Sequence, residues 1–450
     1  MIVLKFGGTS VADADAIRRA AAIVRTRLAR RPIVVVSALA GVTNTLLAVA
    51  DHAVDGQLIV AMREVEGLRE RHLAAAGELL GNGAPADELR REISATCDEL
   101  ASLAGALAVL GHGTPRSLDA IAAIGERLSP VLVSAAFSAC GLPAELVDAR
   151  RVMITDDGFT RAAPRLDAIA HAADETLRPL VDGGRVPVLA GFIGATVQGV
   201  TTTLGRGGSD YSASLLGAAL EVEAIEIWTD VDGILTADPR VVPAARVLEQ
   251  VSFDEASELA TFGAKVLHPS TIAPAVRHGI PVFVLNARRP EGKGTRITSD
   301  APARPVTALA GRRGLAMVKV TTPRMLEARG FMHRFFDAFA RHQVAVDVVA
   351  TSEVSVSVTV EEAARLDGLV VDLAALGDVS VERHRAILAV VGAGLGDHGA
   401  TVGRAISALG DIPVRMVSLS ATGINLTLVV DDDLLELAMR RLHAAFFEET

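Results

Sequence analysis

Cysteine is almost absent from this chain. Cys97 and Cys140 are the only two in 450 residues and lack metal-ligand spacing, so no zinc site is expected and no metal-ligating residue is singled out, and a reducing cytoplasm is the compartment they fit. An excess of positive charge is also missing. Lys and Arg number 44 against 54 Asp and Glu, and the net charge of −10 argues against non-specific nucleic-acid binding. No uninterrupted apolar run approaches the ~20 residues that a bilayer span needs, so no membrane partner is expected. Lys5 stands too near the start for a charged region, an apolar core and a cleavage site, and a secretory leader is not expected. Aromatic residues amount to 3%, a compositional bias without functional signal. What remains is 50% hydrophobic and 22% charged, in a chain long enough for two or three domains.

From Met1 to about Ile297, short Val/Ile/Leu runs alternate with longer helical stretches. Runs such as Pro32–Ser37, Val186–Gly191, Ala224–Thr229 and Ile280–Leu285 are near-continuously apolar. Such strands, separated by helices, predict an α/β fold with a largely parallel sheet covered on both faces. Between Asn44 and Leu110 the strand signal fades, and the break at Gly81–Pro85 predicts an inserted helical hairpin. Arg289–Pro305 reads as a linker. An internal repeat follows, in which strand, helix, strand, strand and helix run from Leu315 to Leu376 and again from Ala386 to Phe446. Val346 aligns with Val414 and Ser355 with Asn425. The repeat predicts two ferredoxin-like modules, hence domains at 1–297, 306–383 and 384–450. That topology is silent on chemistry.

Four clusters in the first region fall where strands should end, the edge at which open α/β sheets bind ligands. Lys5-Phe6-Gly7-Gly8-Thr9-Ser10 follows an apolar strand, and its paired glycines and lysine suit a phosphate. Ser37–Asn44 is rich in small and hydroxyl residues. Thr201–Asp210 contains Gly205, Gly207 and Gly208 ahead of a helix that Ser209-Asp210 should cap, which makes an anion site, and Arg206 adds a fork suited to a carboxylate. Trp228–Ile234 is followed by Asp238-Pro239-Arg240. In the second repeat, Gly394–Gly399 satisfies G-x-G-x-x-G, but no acidic residue follows at the distance a dinucleotide site needs, and NAD is rejected.

Lys5–Ser10, Thr203–Asp210, Trp228-Thr229-Asp230, and Phe253-Asp254-Glu255-Ala256 through Phe262–Pro269 together resemble the aspartate kinase family over essentially the whole chain. The resemblance implies the amino acid kinase fold, a three-layer αβα sandwich around a largely parallel central sheet, with two ferredoxin-like ACT regulatory modules. It implies a monofunctional enzyme that uses ATP, with Mg²⁺ carried by the nucleotide, to phosphorylate the side-chain carboxylate of L-aspartate. Lys5 would stabilise charge between donor phosphate and acceptor carboxylate, with Asp210 the second catalytic residue. Gly7, Gly8 and Ser209 would line the phosphate path. Arg206 would hold the substrate α-carboxylate, Glu126 and Asp210 its α-ammonium, and Thr43 would orient it. Thr229, Asp230, Leu235, Arg240 and Lys265 match nucleotide-side positions, Leu235 standing where relatives carry a tyrosine. Rival readings are a kinase of the same fold acting on glutamate or acetylglutamate, and a catalytically dead amino-acid sensor.

The resemblance extends to regulation. ACT modules bind amino acids where they pair, which implies a homodimer or a dimer of dimers and feedback by a pathway product, lysine being the effector expected. Met325, Gly330, Phe331, Met332, Val346, Asp347, Ser352 and Glu353 match an effector site, with Asp347 taking the effector ammonium and backbone N–H groups near Gly330 its carboxylate. Glu327 and Ala328 depart from the histidine and serine expected there, which leaves threonine open as the effector.

Overall fold

The strand β1 (Ile2–Phe6) is apolar at every position except Lys5, and all five residues are buried. A strand with no polar face has to lie inside a sheet covered on both sides. The computed structural model describes every residue except 264–268, 324, 326–328, 364, 398 and 449–450. Its residues form two compact units, Met1–Ile234 with Val266–Asp300, and Leu235–Lys265 with Ala301–Thr450.

In the first unit β2 (Pro32–Val36), β3 (Ala144–Leu146), β4 (Ile154–Thr155), β5 (Val186–Ala190), β6 (Ile193–Thr196), β7 (Thr201–Thr203) and β8 (Ala224–Thr229) follow β1; β9 (Gln250–Ser252) belongs to the other unit, and β10 (Val282–Asn286) and β11 (Thr295–Thr298) return. The main sheet runs β3-β5-β2-β1-β8-β10-β11, parallel throughout except for β11. β11 occupies part of Arg289–Pro305, read from the sequence as a linker; the chain turns back after β10 and pairs antiparallel with it. A smaller sheet, β4-β6-β7, flanks the main one.

Ile2, Leu4 and Phe6 face a layer of helices that includes Ala14–Arg27, Val42–Val54 and Pro115–Ala139, together with the predicted hairpin Leu58–Leu80 and Ala84–Leu110. Leu166–Thr176, Gly208–Ala219 and Pro269–Arg277 pack on one another in a second layer. Helices Ala84–Leu110 and Pro115–Ala139 match a bilayer span in length and composition, but 78% of the apolar window of the latter is buried inside the protein. Packing accounts for its composition. Phe6 pairs in register with both Val36 and Trp228, so Gly7, Ser37 and Thr229 emerge side by side at one edge.

In the second unit β12 (Ala308–Thr321), β13 (Val349–Thr351), β14 (Ser355–Glu361), β15 (Asp378–Val391), β16 (Met416–Leu419) and β17 (Asn425–Asp431) form an antiparallel sheet ordered β13-β14-β12-β15-β17-β16. The two repeats interlock. Leu315–Thr321 pairs with β14 and with the first half of β15, whereas Ala308–Arg312 pairs with Ile387–Val391. The second repeat therefore takes a strand from ahead of the first, which covers an edge its own sequence leaves open. Each repeat keeps its own core, around Val318, Phe335 and Leu369 in one and Leu388, Leu409 and Leu442 in the other. The Phe253–Ala256 motif is part of this unit. Ser252 caps helix Phe253–Thr261, and buried Glu255 accepts hydrogen bonds from Thr307 Oγ1 at 2.6 Å and Ala393 N at 3.0 Å.

Candidate active site

The Gly7 turn is fixed from below. The carbonyl of fully buried Trp228 accepts hydrogen bonds from Gly7 N at 3.1 Å and from Ser10 Oγ at 3.1 Å. Gly8 has no room for a side chain, because a Cβ there would lie 2.8 Å from the Ala38 carbonyl. This close approach brings the first and second clusters into one wall, with Ala40 N donating to Gly8 O at 3.1 Å. Lys5 points to the opposite sheet face from Leu4 and Phe6 and folds back over the turn, its Nζ 3.5 Å from where a Gly7 Cβ would sit.

Helix Gly208–Ala219 supplies the facing wall. It begins earlier than the sequence suggests: Gly207 occupies the N-cap with φ +72°, which favours glycine, and no side chain caps it. Ser209 and Asp210 therefore stand in the first turn and do not cap. The leading N–H groups of that turn have no intrahelical acceptors, so the expected anion site survives. Asp210 Oδ1 meets Lys5 Nζ at 2.6 Å as an ion pair without a directed hydrogen bond.

Between the walls opens a cleft of about 370 Å³, which Lys5, Gly8, Thr43, Glu126, Arg206, Ser209 and Asp210 all line. Thr43 comes from the first turn of helix Val42–Val54, and Arg206 is exposed on the loop after β7. Glu126 is 3% exposed, and its Oε2 has no hydrogen-bond partner. Burial pushes its carboxyl up to about 8, against the opposing pull of the Ala38 N–H and the Lys5 charge. An ammonium placed in the cleft would favour the ionised form. Phe192 also lines the cleft, a residue that sequence reading missed; its φ of +65° carries no signature in the sequence.

Thr229 ends β8 and Asp230 follows it at the same sheet edge, with Thr229 Oγ1 donating to Asp230 Oδ1 at 3.3 Å. Asp232, read from the sequence only as part of the Trp228–Ile234 cluster, accepts from Asn286 Nδ2 at 2.7 Å and pairs with Arg289 at 2.5 Å. Leu235 and Arg240 belong to the second unit. Leu235 bridges to Val247, and Arg240 forks onto Asp238 with Nη2 at 2.6 Å. Lys265 lies outside the described residues.

The second unit carries the candidate effector residues. Gly330 is the N-cap of helix Phe331–Arg341. Phe331 is buried and stacks on Phe335, so it is core, while Met325, Met332 and Val346 are half-buried against that core. Asp347 is already paired, with Arg312 Nη1 at 2.8 Å; burial raises its carboxyl and the guanidinium opposes that. Ser352 bonds Ser355 through its backbone N at 2.8 Å and its hydroxyl at 2.9 Å, and Glu353 is exposed. Glu327 and Ala328 lie outside the described residues.

Comparisons with known proteins agree with this architecture. Residues 1–286 match the amino acid kinase family and residues 388–446 the ACT domain. The chain is 38% identical over 457 residues to lysine-sensitive aspartokinase 3 of Escherichia coli, covering 100% of this chain and 99% of that protein. It is 36% identical to chloroplastic aspartokinase 3 of Arabidopsis thaliana, covering 99% of this chain and 81% of the relative. Among solved structures, E. coli aspartokinase III in complex with lysine and aspartate, the T-state, superposes with a TM-score of 0.85 at 38% identity, with 99% of each chain covered. The same enzyme with aspartate and ADP, the R-state, gives 0.85 at 37% identity, covering 99% of this chain and 100% of that one. By family match, full-length identity and fold, the chain belongs to the aspartokinases of the amino acid kinase family.

Proposed function

We propose that this protein transfers the γ-phosphoryl group of ATP to the side-chain carboxylate of L-aspartate, giving 4-phospho-L-aspartate and ADP. The observation that carries this reading is the meeting, in one cleft, of phosphate-type residues with amino-acid-type residues. Lys5, Gly8 and the helix start at Ser209 are of the first kind; Glu126, with an unpaired oxygen, and Arg206 are of the second. Arg206 takes the α-carboxylate as a bidentate fork. Glu126 and Asp210 take the α-ammonium, and Thr43 orients the backbone of the amino acid. The side-chain carboxylate is then left facing the γ-phosphate beside Lys5, where its oxygen bonds to the γ-phosphorus as the bond to the β-γ bridging oxygen breaks. Lys5 spreads its charge over both partners while Gly7, Gly8 and Ser209 hold the phosphates.

Thr229 and Asp230 lie on the nucleotide side, and Leu235, Arg240 and Lys265 are assigned to the nucleotide by family resemblance. Mg²⁺ carried on ATP would supply charge neutralisation at the phosphates. The second unit supports feedback by lysine through Asp347 and the N–H groups at Gly330, in a homodimer joined through the ACT modules, and the catalytic domain is taken as 1–297 with modules at 306–383 and 384–450. Two free thiols, one buried, accord with the cytoplasm. ADP release measured with aspartate, glutamate and acetylglutamate, each with lysine or threonine added, tests the whole reading. Aspartate-dependent release suppressed by lysine is expected; release with glutamate alone would replace the substrate, and suppression by threonine alone would replace the effector.

A further inference from the structure

Asp119 was not singled out by the sequence, yet it is among the most committed polar groups of the first unit. It is 1% exposed, on helix Pro115–Ala139, and both of its oxygens are used. Thr203 donates from its backbone N at 3.0 Å and from Oγ1 at 2.7 Å, and Thr160 N is shared between the two oxygens at 3.1 and 3.0 Å.

Those partners are two segments that meet at the Arg206 loop. Thr203 ends β7, three residues before Arg206, and its carbonyl accepts from Ala162 N at 2.9 Å. Thr160 leads into Arg161, whose Cγ and whose neighbour's carbonyl each come within 3.3 Å of where a Gly205 Cβ would sit. Thr160 itself holds φ +71°, a conformation that is strained for a β-branched residue and persists only where its surroundings impose it. The N–H bonds to Asp119 are such an imposition. Glu126 lies seven residues further along the same helix, about two turns on and close to the same face.

We propose that Asp119 is a positioning residue for amino-acid recognition: it clamps the Arg206 loop to the helix that carries Glu126, and so sets the span between the groups that receive the α-carboxylate and the α-ammonium. The proposal rests on the substrate roles given above to Arg206 and Glu126. A buried carboxylate with four contacts into two segments is stiff where a surface contact is not, and misplacing a binding group by ~1 Å costs on the order of 10²-fold in turnover efficiency. The nucleotide side of the cleft, from Lys5 to Ser209, makes none of the four contacts.

The test begins with steady-state kinetics of the wild type, then Asp119→Ala, Asp119→Asn and Thr203→Val. Asp119→Ala is expected to raise the KM for aspartate about 30-fold while shifting the KM for ATP less than about threefold, a split that general loosening of the fold does not produce. Asp119→Asn keeps one acceptor oxygen and recovers part of the loss. Thr203→Val removes the hydroxyl donor at nearly constant shape and is expected to give about a fourfold rise, which keeps the proposal testable if Asp119→Ala does not fold. In an Arg206→Ala background, adding Asp119→Asn is expected to change the aspartate KM less than about twofold, because the clamp acts through Arg206. Folded Asp119 variants with an unchanged aspartate KM, equal shifts in both KM values, or full additivity with Arg206→Ala overturn the clamp and leave the aspartate reading intact. A wild type with no aspartate-dependent ADP release overturns both.

Discussion

The cleft of the first unit and the candidate effector region of the second are built in opposite ways. In the cleft Lys5 and Asp210 pair with each other, but two further charged groups are left wanting. Glu126 is buried with Oε2 unpartnered, and Arg206 is exposed with no partner among the described residues. In the second unit the corresponding groups are satisfied from within, Asp347 by Arg312, Ser352 by Ser355, Phe331 by Phe335. An unsatisfied buried group destabilises the empty fold and binds its complement directly. A satisfied group has to exchange one partner for another, so its affinity is a difference between two similar interactions. The first arrangement suits a site meant to act on every encounter; the second suits a response that depends on concentration.

The comparison breaks first at Lys5. Lys5→Met should lower kcat about 10³-fold while aspartate and ATP still bind, as calorimetry on the variant would show. A variant that retains near-normal turnover would remove Lys5 from the charge-stabilising role. Glu126→Gln comes next, with kcat/KM for aspartate down about 10²-fold. It also carries a stability signature of definite sign. The folded carboxyl sits at about 8, above its ordinary 4.5, so the empty fold holds a proton that the unfolded chain releases. Its contribution is complete below pH 4.5 and is lost as pH rises through 8. The ligand-free wild type should therefore lose on the order of 1–3 kcal/mol relative to Glu126→Gln between pH 6 and 9, read from urea midpoints. Parallel midpoints across that range would mean that Glu126 is solvated and ionised in the empty cleft.

Much of this site is legible in the sequence because its elements are local. The Lys5–Ser10 turn follows a strand directly, and Gly205–Asp210 precedes a helix directly, so residue type and spacing carry the message. What stays hidden is long-range. Phe192 enters the cleft through a positive φ, Asp119 reaches partners 41 and 84 positions away, and Asp232 depends on Asn286. None of these has a spacing rule. The interlocked repeats escape for the same reason: alignment shows two copies, but that Ala308–Arg312 completes the second is a matter of pairing across β12 and β15. The capping role expected of Ser209-Asp210 fails over a shift of a few residues, because Gly207 supplies the left-handed turn that starts the helix.

A smaller effect sharpens the other side of the comparison. If Asp347 receives an effector ammonium only by giving up Arg312, then Arg312→Met should lower the lysine concentration for half-inhibition, by about three- to tenfold, since an exchange becomes a simple association. Asp347→Asn should raise it. The readout is the inhibition curve at fixed aspartate and ATP. A half-inhibitory concentration that moves the same way in both variants would place the effector elsewhere.

The smallest expected effect concerns an unsatisfied group without a role in the cleft. His72 is fully buried in helix Leu58–Leu80, with Nδ1 2.7 Å from the Leu68 carbonyl and Nε2 unpartnered. Burial holds its imidazole below its ordinary 6.5, the Leu68 carbonyl opposing this and Arg71 reinforcing it. The unfolded chain therefore takes up the proton first, so this contribution to stability is present above pH 6.5 and is lost as pH falls below it. His72→Leu deletes the orphaned nitrogen at similar volume and should flatten the decline as pH falls below 6.5, with the aspartate KM unchanged. Glu126→Gln and His72→Leu thus both alter a buried group that carries an unpaired polar atom, and only the first should cost catalysis. If His72→Leu also raises the aspartate KM, unsatisfied burial is no guide to which groups of this fold await a ligand.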